Sequence, residues 1–476
     1  MRSRVLSQVL GKFLKVFALI MAIPMLLSFY LIEPWRVRSG FVAASVTAMA
    51  MGELLAYAGK NEEPQLSEAM TSTVAGWTLA VFLGAIPLFQ FMPPVSAVFE
   101  ATAGLTTTGI SMLRDPSVLP NSILFWRALM QWVGGLGILT FFIAVIRESG
   151  GASRRIFSAE THKTDPGSIR PSLSKSIVDL WKVYGFVTTV MITVYVWLGM
   201  SVFESFLHAF SAISTGGFSS KAMSIGAYSP AIQAATTVFM FVGGVNFVLL
   251  YSLLNTEWKK MYRNSEFRIY CGVFVLLALA IFVNLLGSKD IAVSVLDAFF
   301  QSAALISSTG YSTMSLGALA TVTQVLIVGV MFVGGSVGST SGGVKIFRVK
   351  TMFELLKRHL RTYSLPDTAI NEVKIDGEIL KDATLRTISV LFFTWVGATF
   401  VVTLLVMLFD QTSLMGALSG TVSAIGNMGP VFMGTEEMIG LSAASKITWI
   451  IAMIAGRLEM IPLLAIFNSG LFTDKT

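Results

Sequence analysis

Four times along this chain a long apolar stretch is followed by a shorter semi-polar segment, a Gly/Ser/Thr tract, a brief loop and a second long apolar stretch. A repeat of this kind constrains the fold before any single element is considered, since each copy is one supersecondary unit packed against the next. The short segments run from Val95 to Leu105, Ser201 to Ile213, Val293 to Ile306 and Ser413 to Ile425. Their tracts are Thr106-Thr107-Thr108-Gly109-Ile110, Ser214-Thr215-Gly216-Gly217-Phe218, Ser307-Ser308-Thr309-Gly310-Tyr311 and Gly426-Asn427-Met428-Gly429-Pro430. In the first three, a polar residue (Glu100, His208, Gln301) lies nine positions before the last glycine, and a serine (Ser111, Ser219, Ser312) two positions after it. That spacing makes Gly217, rather than Gly216, the equivalent of Gly109 and Gly310. Small residues recur in the second long stretch as Gly134-Gly135, Gly243-Gly244, Gly334-Gly335 and Ala455-Gly456.

The long stretches lie at 13–32, 73–92, 123–146, 178–200, 231–254, 268–287, 320–343, 387–409 and 445–467, with a weaker one at 40–58. Each has the roughly 17–25 residues that cross a bilayer core. Hydrophobic residues are 54% of the chain and charged ones 13%, a balance foreign to soluble globular proteins. An all-α integral membrane protein follows. The short segments cannot cross, so they are expected to descend and return. The stretches 13–32 and 40–58 carry no tract and stand apart as an accessory hairpin. Arg2, Arg4 and Lys12 before the first stretch, with Lys15 at its start, look like a signal peptide, but no small-residue cleavage site follows, so a retained helix is expected. The expected organisation is thus a hairpin at 1–70 and four pseudo-symmetric helix–pore helix–helix repeats around a central pore, at 71–177, 178–267, 268–386 and 387–476.

The net charge of +7 is explained by topology rather than by nucleic acid. With the N-terminus in the cytoplasm, about 27 of the 34 Lys and Arg fall on the cytoplasmic half and about 7 on the outer half, as the positive-inside rule requires. The clusters are Arg147, Arg154, Arg155, Lys163, Arg170 and Lys175, then Lys259, Lys260, Arg263 and Arg268, then the run from Lys345 to Arg386. This predicts both termini on the cytoplasmic side. The single cysteine, Cys271, sits in an apolar span and is a packed small hydrophobe. His162, His208 and His359 have no ligand spacing, so His208, Glu100 and Gln301 are expected to hydrogen-bond behind the tracts rather than hold a metal.

Non-helical backbone at membrane depth is tolerated only where protein buries it or where it lines an aqueous cavity. Four tracts in one chain therefore imply a water-connected axis. Glycine lets carbonyl groups turn toward that axis, and four contributors complete a ring of oxygens of the kind that replaces the hydration shell of potassium. The short helices aim their partially negative C-terminal ends at the membrane centre, which favours a cation. The competing reading is that the small residues are helix-packing sites.

The four span–pore helix–span units, the tracts Thr-Thr-Thr-Gly-Ile and Ser-Ser-Thr-Gly-Tyr and the late Gly456-Arg457-Leu458-Glu459 together resemble the Trk/Ktr/HKT superfamily of potassium transporters, and the hairpin and length its bacterial TrkH branch. The resemblance covers nearly the whole chain. It implies a potassium filter built from Thr107, Thr108 and Gly109, from Thr215, Gly216 and Gly217, from Ser308, Thr309 and Gly310, and from Asn427, Met428 and Gly429. Serine at the first filter position accompanies sodium permeation in the family, so glycine at all four positions predicts potassium preference. No tract is the Thr-Val-Gly-Tyr-Gly of dedicated potassium channels, and the fourth departs furthest, so discrimination against sodium is expected to be modest. The resemblance further implies a homodimer, permeation by rubidium, and a TrkA-like cytoplasmic ring that binds NAD or ATP. No dinucleotide-binding Gly-x-Gly-x-x-Gly follows a strand in this chain, so nucleotide control would come from that partner.

The run Gly334-Gly335-Ser336-Val337-Gly338-Ser339-Thr340-Ser341-Gly342-Gly343 should not remain helical, because each interior glycine costs about 1 kcal/mol against alanine. It lacks the Gly-Lys-Ser/Thr of a phosphate-binding loop. Family likeness implies an intramembrane gating loop; a static break between helices is the alternative. Arg457, an ionised residue within a span, points to a function by default. The likeness places it toward the pore below the filter, and a structural ion pair with another repeat is the competing account. Glu459 is two positions away, on another helix face.

The function expected is potassium uptake across the bacterial inner membrane. The alternative is a secondary transporter coupling potassium to sodium or protons, for which Glu53 and Glu459 are the only carboxylates well inside full spans. No nucleophile with a base and no metal motif suggests an enzyme. Asp474-Lys475-Thr476 matches part of the P-type pump motif by coincidence.

Overall fold

The computed structural model describes residues 2–460 except 63, 149–172, 255–256, 289, 365 and 367–370. Arg154, Arg155, Lys163, Arg170, His162, the 461–467 end of the last apolar stretch and Asp474-Lys475-Thr476 lie outside the described residues. Helices dominate. The two strands among the described residues, Lys374–Ile375 and Glu378–Ile379, pair antiparallel across a turn at Asp376 and Gly377, both with positive φ.

An N-terminal hairpin consists of α1 (Ser3–Tyr30) and α2 (Trp35–Ala58). Its helices pack closely because Gly11 faces Gly52: a Cβ at Gly11 would stand 2.7 Å from the Gly52 carbonyl oxygen. The hairpin is tied to the first repeat where the Glu33 carboxylate accepts from the Ser122 backbone amide at 3.0 Å.

Four repeats follow. The first is α3 (Leu66–Ala85), the short α4 (Pro94–Leu105) and α5 (Asn121–Glu148); the second is α6 (Leu173–Trp197), the short α7 (Val202–Ile213), α8 (Pro230–Gly243) and α9 (Phe247–Leu254). After α10 (Trp258–Arg263), the third has α11 (Ser265–Leu285), the short α12 (Ile291–Ile306), α13 (Thr321–Val333) and α14 (Ile346–Thr362). The fourth has α15 (Asp382–Asp410), the short α16 (Leu414–Gly426), α17 (Thr435–Gly440) and α18 (Ala443–Arg457). The short helices start at local caps: Pro94 opens α4, the Ser201 hydroxyl accepts from Glu204 N at 3.3 Å, and the Ser413 hydroxyl from Gly416 N at 3.1 Å. At 1.5 Å per residue they are about 18–24 Å long, short of the roughly 30 Å hydrocarbon core. Large apolar side chains such as Leu19, Leu26, Leu276, Phe393 and Leu404 point outward from the bundle, as lipid-facing residues do.

Two expectations need correction. The stretch 231–254 is not one helix: α8 and α9 meet at a 107° bend. The break is stabilised by contacts that no continuous helix could make. Asn246 Oδ1 accepts from Val248 N at 2.8 Å, Phe247 N donates to the Gly338 carbonyl at 3.0 Å, and the Gly244 carbonyl accepts from Ser336 N at 3.1 Å. Likewise 320–343 holds a helix only to Val333. Among the described residues six helices are long and apolar enough to cross a membrane, or seven if the bent pair counts as one span. In addition, α3, α6, α11 and α15 each begin three to five residues before the unit boundaries drawn from hydropathy. Their first turns are polar, as at Ser67-Glu68 and Ser265-Glu266, because helix starts favour residues that satisfy free backbone amides, as Glu68 does for Gln65 N at 2.9 Å and Asn264 for Phe267 N at 2.9 Å, and hydropathy scores such residues as loop.

Candidate functional site

The four short helices all end in the same backbone device. Two residues of each tract take positive φ: Thr107 (56°) and Gly109 (79°), Thr215 (54°) and Gly217 (78°), Ser308 (59°) and Gly310 (78°), Asn427 (51°) and Gly429 (98°). The torsions set Gly217, not Gly216, in register with the other three glycines. The tracts are also neighbours in a closed cycle. A Cβ added to Gly109 would stand within 3.0 Å of the Gly216 carbonyl oxygen, one on Gly217 within that distance of the Thr309 oxygen, one on Gly310 of the Met428 oxygen, and one on Gly429 at 3.0 Å from the Thr108 oxygen. Each repeat thus presses its glycine against a tract carbonyl of the next, and the fourth returns to the first. Positive φ and absent space both require glycine at these positions.

Side chains fasten the tracts. Thr106 and Thr108 hydroxyls meet at 2.7 Å, as do those of Ser307 and Thr309. Asn427, the least typical tract residue, donates from Nδ2 to Thr108 Oγ1 at 2.9 Å and to the Met453 carbonyl at 3.0 Å, joining the fourth tract to the first. Glu100 accepts from the Ser111 hydroxyl at 2.9 Å and Met112 N at 2.7 Å, and His208 Nε2 lies 3.1 Å from Ser219 Oγ. Gln301 departs from the pattern, donating to Thr313 at 3.4 Å rather than to Ser312. In the fourth repeat Gly420 stands in the corresponding place, and the Trp449 indole fills the space against it. Among the described residues no group of three or more His, Cys, Asp or Glu is placed to hold a metal.

The glycine-rich run between α13 and α14 lies against the C-terminal ends of the short helices. Gly343 N donates to the Gly426 carbonyl at 2.9 Å, Gly342 N to Ser308 Oγ at 2.7 Å, and Thr340 Oγ1 to the Ile213 carbonyl at 3.0 Å. Gly335 N donates to Ser341 Oγ at 3.0 Å, the Ser339 hydroxyl donates to the carbonyl of the buried Ser336 at 2.6 Å, and Gly334, Gly338 and Gly343 take positive φ. Lys345, also at positive φ, closes the loop by donating to the Ser341 carbonyl. Arg457 completes the arrangement. Its guanidinium donates to the Gly135 carbonyl at 3.0 Å, to that of Gly134, and to Thr340 O at 3.4 Å, so the fourth repeat, the loop and the first repeat meet at one buried cation. Its partners are carbonyls rather than a carboxylate, while Glu459 pairs with Arg348. A cavity of about 150 Å³ lined by Asn246, Gly338, Lys345, Arg348, Arg457 and Glu459 lies on the loop's side of the tracts.

The second helices of the four repeats align by their starts. Gly134, Gly243, Gly334 and Gly456 each stand thirteen residues after the first residue of α5, α8, α13 and α18. Gly134 and Gly456 make the same contact, against the carbonyls of Leu105 and Ile425. The counterpart of Gly134-Gly135 is therefore Gly456-Arg457, not Ala455-Gly456, and Arg457 stands where the other repeats have a second glycine. Hydropathy does not separate alanine from glycine, so the helix starts and the contact set this register.

Sequence reasoning overlooked two residues. Arg127, 2% exposed, pairs with Glu100 at 2.7 Å and donates to the Ser219 carbonyl at 3.2 Å. Gln131, fully buried, donates from Nε2 to the Gly216 carbonyl at 2.7 Å and accepts from Phe218 N at 3.1 Å. Their signal was present, since polar residues inside an apolar span are costly and so point to a partner.

Residues 37–475 match the sequence model of a family described as TrkH, cation transport protein. The Trk system potassium uptake protein TrkH of Escherichia coli strain K12 is 29% identical, over 98% of this chain and 99% of its own. An uncharacterized cation transporter of Methanocaldococcus jannaschii is also 29% identical, over 98% and 95%. The crystal structure of the potassium transporter TrkH from Vibrio parahaemolyticus superposes with a TM-score of 0.87 at 25% identity, covering 99% of this chain and 100% of that one.

Proposed function

Because this chain belongs to the TrkH family of cation transport proteins, we propose that it takes up potassium across the bacterial inner membrane through a filter made by its four tracts. It is a multi-pass membrane transporter, not an enzyme. The observation that carries the proposal is the closed cycle in which Gly109, Gly217, Gly310 and Gly429 each abut a tract carbonyl of the next repeat. Backbone oxygens held in a ring can replace the hydration shell of potassium, and the C-terminal ends of four short helices add a negative field there. Potassium, and rubidium as its substitute, is the permeant ion; no other cofactor enters.

The loop at 334–343 is the gate. Its hydrogen bonds to Ile213, Ser308 and Gly426, together with Arg457 on Thr340, support a closed arrangement in which the loop lies under the filter. Opening requires those bonds to be exchanged for water. A homodimer with both termini in the cytoplasm, regulated by a TrkA-like ring that binds NAD or ATP and docks on the basic loops, completes the proposal. The bend between α8 and α9 favours a second reading, since discontinuous crossing helices also build the sites of coupled transporters.

Rubidium-86 uptake into liposomes holding the purified protein, competed with potassium, sodium and lithium and repeated with Gly109→Ser, tests the proposal. Competition by potassium far stronger than by sodium, weakened in the variant, is expected. Equal competition by all three ions would remove the selective filter, and uptake only under a sodium or proton gradient would favour coupling.

A further inference from the structure

We infer that Gln131 is a specificity-determining positioning residue: its side-chain amide sets the Gly216 carbonyl in the ring, and with it the preference for potassium over sodium. The inference rests on the filter reading above and concerns one junction of the ring, that between the first and second tracts.

Gln131 bridges the two sides of Gly217. Its Nε2 donates to the carbonyl of Gly216 and its Oε1 accepts from the amide of Phe218. The Gly216 carbonyl is the one against which Gly109 is pressed. Gln131 therefore fixes, from behind, the oxygen that joins the first tract to the second. A Cβ on Gly216 would fall within 2.4 Å to 2.7 Å of the Gln131 amide atoms, so the glutamine also explains why this tract alone has two glycines in succession. Arg127, one helical turn earlier on α5, extends the grip by donating to the Ser219 carbonyl while paired with Glu100. Arg127 Cζ lies 4.1 Å from the centre of the Phe218 ring. The backbone from Gly216 to Ser219 is thus held at three points by one face of α5.

The other repeats do without this grip. Gln131 stands ten residues after the start of α5, and the residues ten after the starts of α8, α13 and α18 are Met240, Met331 and Met453. All three are fully buried. A thioether occupies about the space of the glutamine amide but cannot donate a hydrogen bond and accepts only weakly. Where three repeats fill the position with methionine, packing alone suffices; the buried amide of the first repeat must satisfy its donors and acceptor, and both its partners are filter backbone. A carbonyl that already accepts one hydrogen bond has one lone-pair direction committed and is held in place. An untethered carbonyl can tilt, and a ring whose oxygens tilt accommodates the smaller sodium ion at less cost.

Gln131→Met makes the first repeat like the others with little change of volume. In liposomes, with rubidium-86 uptake competed by potassium and by sodium, the variant is expected to lose roughly three- to tenfold of the potassium-over-sodium competition ratio, as suits the loss of one or two hydrogen bonds. Gln131→Leu should shift the ratio in the same direction and serves if the methionine variant is not recovered folded. Met240→Leu, at the same place in the second repeat, should keep the wild-type ratio. A ratio unchanged in both Gln131 variants overturns the inference, as does a lower uptake rate at constant ratio, which marks a purely structural role. Equal shifts in the Gln131 and Met240 variants also overturn it, since packing would then be the cause. Wild-type protein with no preference for potassium fails the filter reading itself, whatever the variants do.

Discussion

Arg457 occupies the place of a glycine, fourteen residues into α18, and that substitution gives the repeat its asymmetry. A guanidinium presents five donors in a fixed fork, and here they reach carbonyls of Gly134, Gly135 and Thr340 that belong to two other repeats. Bonds from a charged donor are each worth about 1.5–3 kcal/mol, enough to bias a loop between two positions. Arg457→Ala is expected to raise the initial rate of rubidium-86 uptake in liposomes by about tenfold, the effect of losing one such bond. A rate that does not rise, in protein of unchanged thermal stability, would make Arg457 a structural tie. The isolated charge in a span already singled Arg457 out. Gln131 and Arg127 carry the same signal, polar groups within the apolar stretch 123–146, but what they hold is not legible there, because their partners at Gly216, Ser219 and Glu100 are 85, 92 and 27 residues away in sequence.

Among the elements, the segment from Gly334 to Lys345 is the least regular. Glycines at 334, 338 and 343 and Lys345 take positive φ, so the chain reverses between α13 and α14 without helical hydrogen bonds of its own. Some of its amides and hydroxyls are satisfied within the segment, and others by the ends of the short helices, by the bend between α8 and α9, and by the Glu266 carboxylate, which accepts from Val337 N at 2.9 Å. The run of glycines made the helix break legible, but not its docking, which depends on chain ends brought together from other repeats. Close approach is required at Gly342, where a Cβ would overlap the Gly426 carbonyl oxygen. If the loop gates as proposed, Gly342→Ala should push it off the tracts, raising rubidium-86 uptake about fivefold or more while leaving the potassium-over-sodium ratio alone, because no tract residue is substituted. A loss of roughly 1 kcal/mol of docking corresponds to that factor. Gly329→Ala, where an added Cβ meets nothing within 4 Å, should leave uptake at the wild-type level in the same assay.

For the whole molecule, the distribution of Lys and Arg and the alternation of the repeats together predict an orientation. On that prediction the loops that follow the tracts face outward and the basic connections, such as the one from Lys345 to Arg386, face the cytoplasm. Starting from a Cys271→Ser background, Val118→Cys in the loop after the first tract should react with a membrane-impermeant maleimide in intact cells. Lys374→Cys, in the strand pair between α14 and α15, should react only after permeabilisation. Both positions are exposed. The reverse pattern would invert the orientation and place the loop at 334–343 on the outer side of the tracts.

Local physics made the repeat legible. Apolar runs long enough to cross lipid, segments too short to do so, and tracts whose glycines let carbonyl groups turn are all properties of short windows, and the interval from Glu100, His208 or Gln301 to the tract glycine sets the register from sequence alone. Tertiary structure alone decided the rest. Which carbonyl each glycine abuts, why α8 breaks from α9 at Gly244, where the loop docks, and what Arg457, Gln131 and Arg127 hold are contacts between residues far apart in sequence. Hydropathy reports whether a side chain belongs in lipid or protein; it carries no information about which backbone amide or carbonyl a buried polar group will satisfy, and in this protein those pairings build the site.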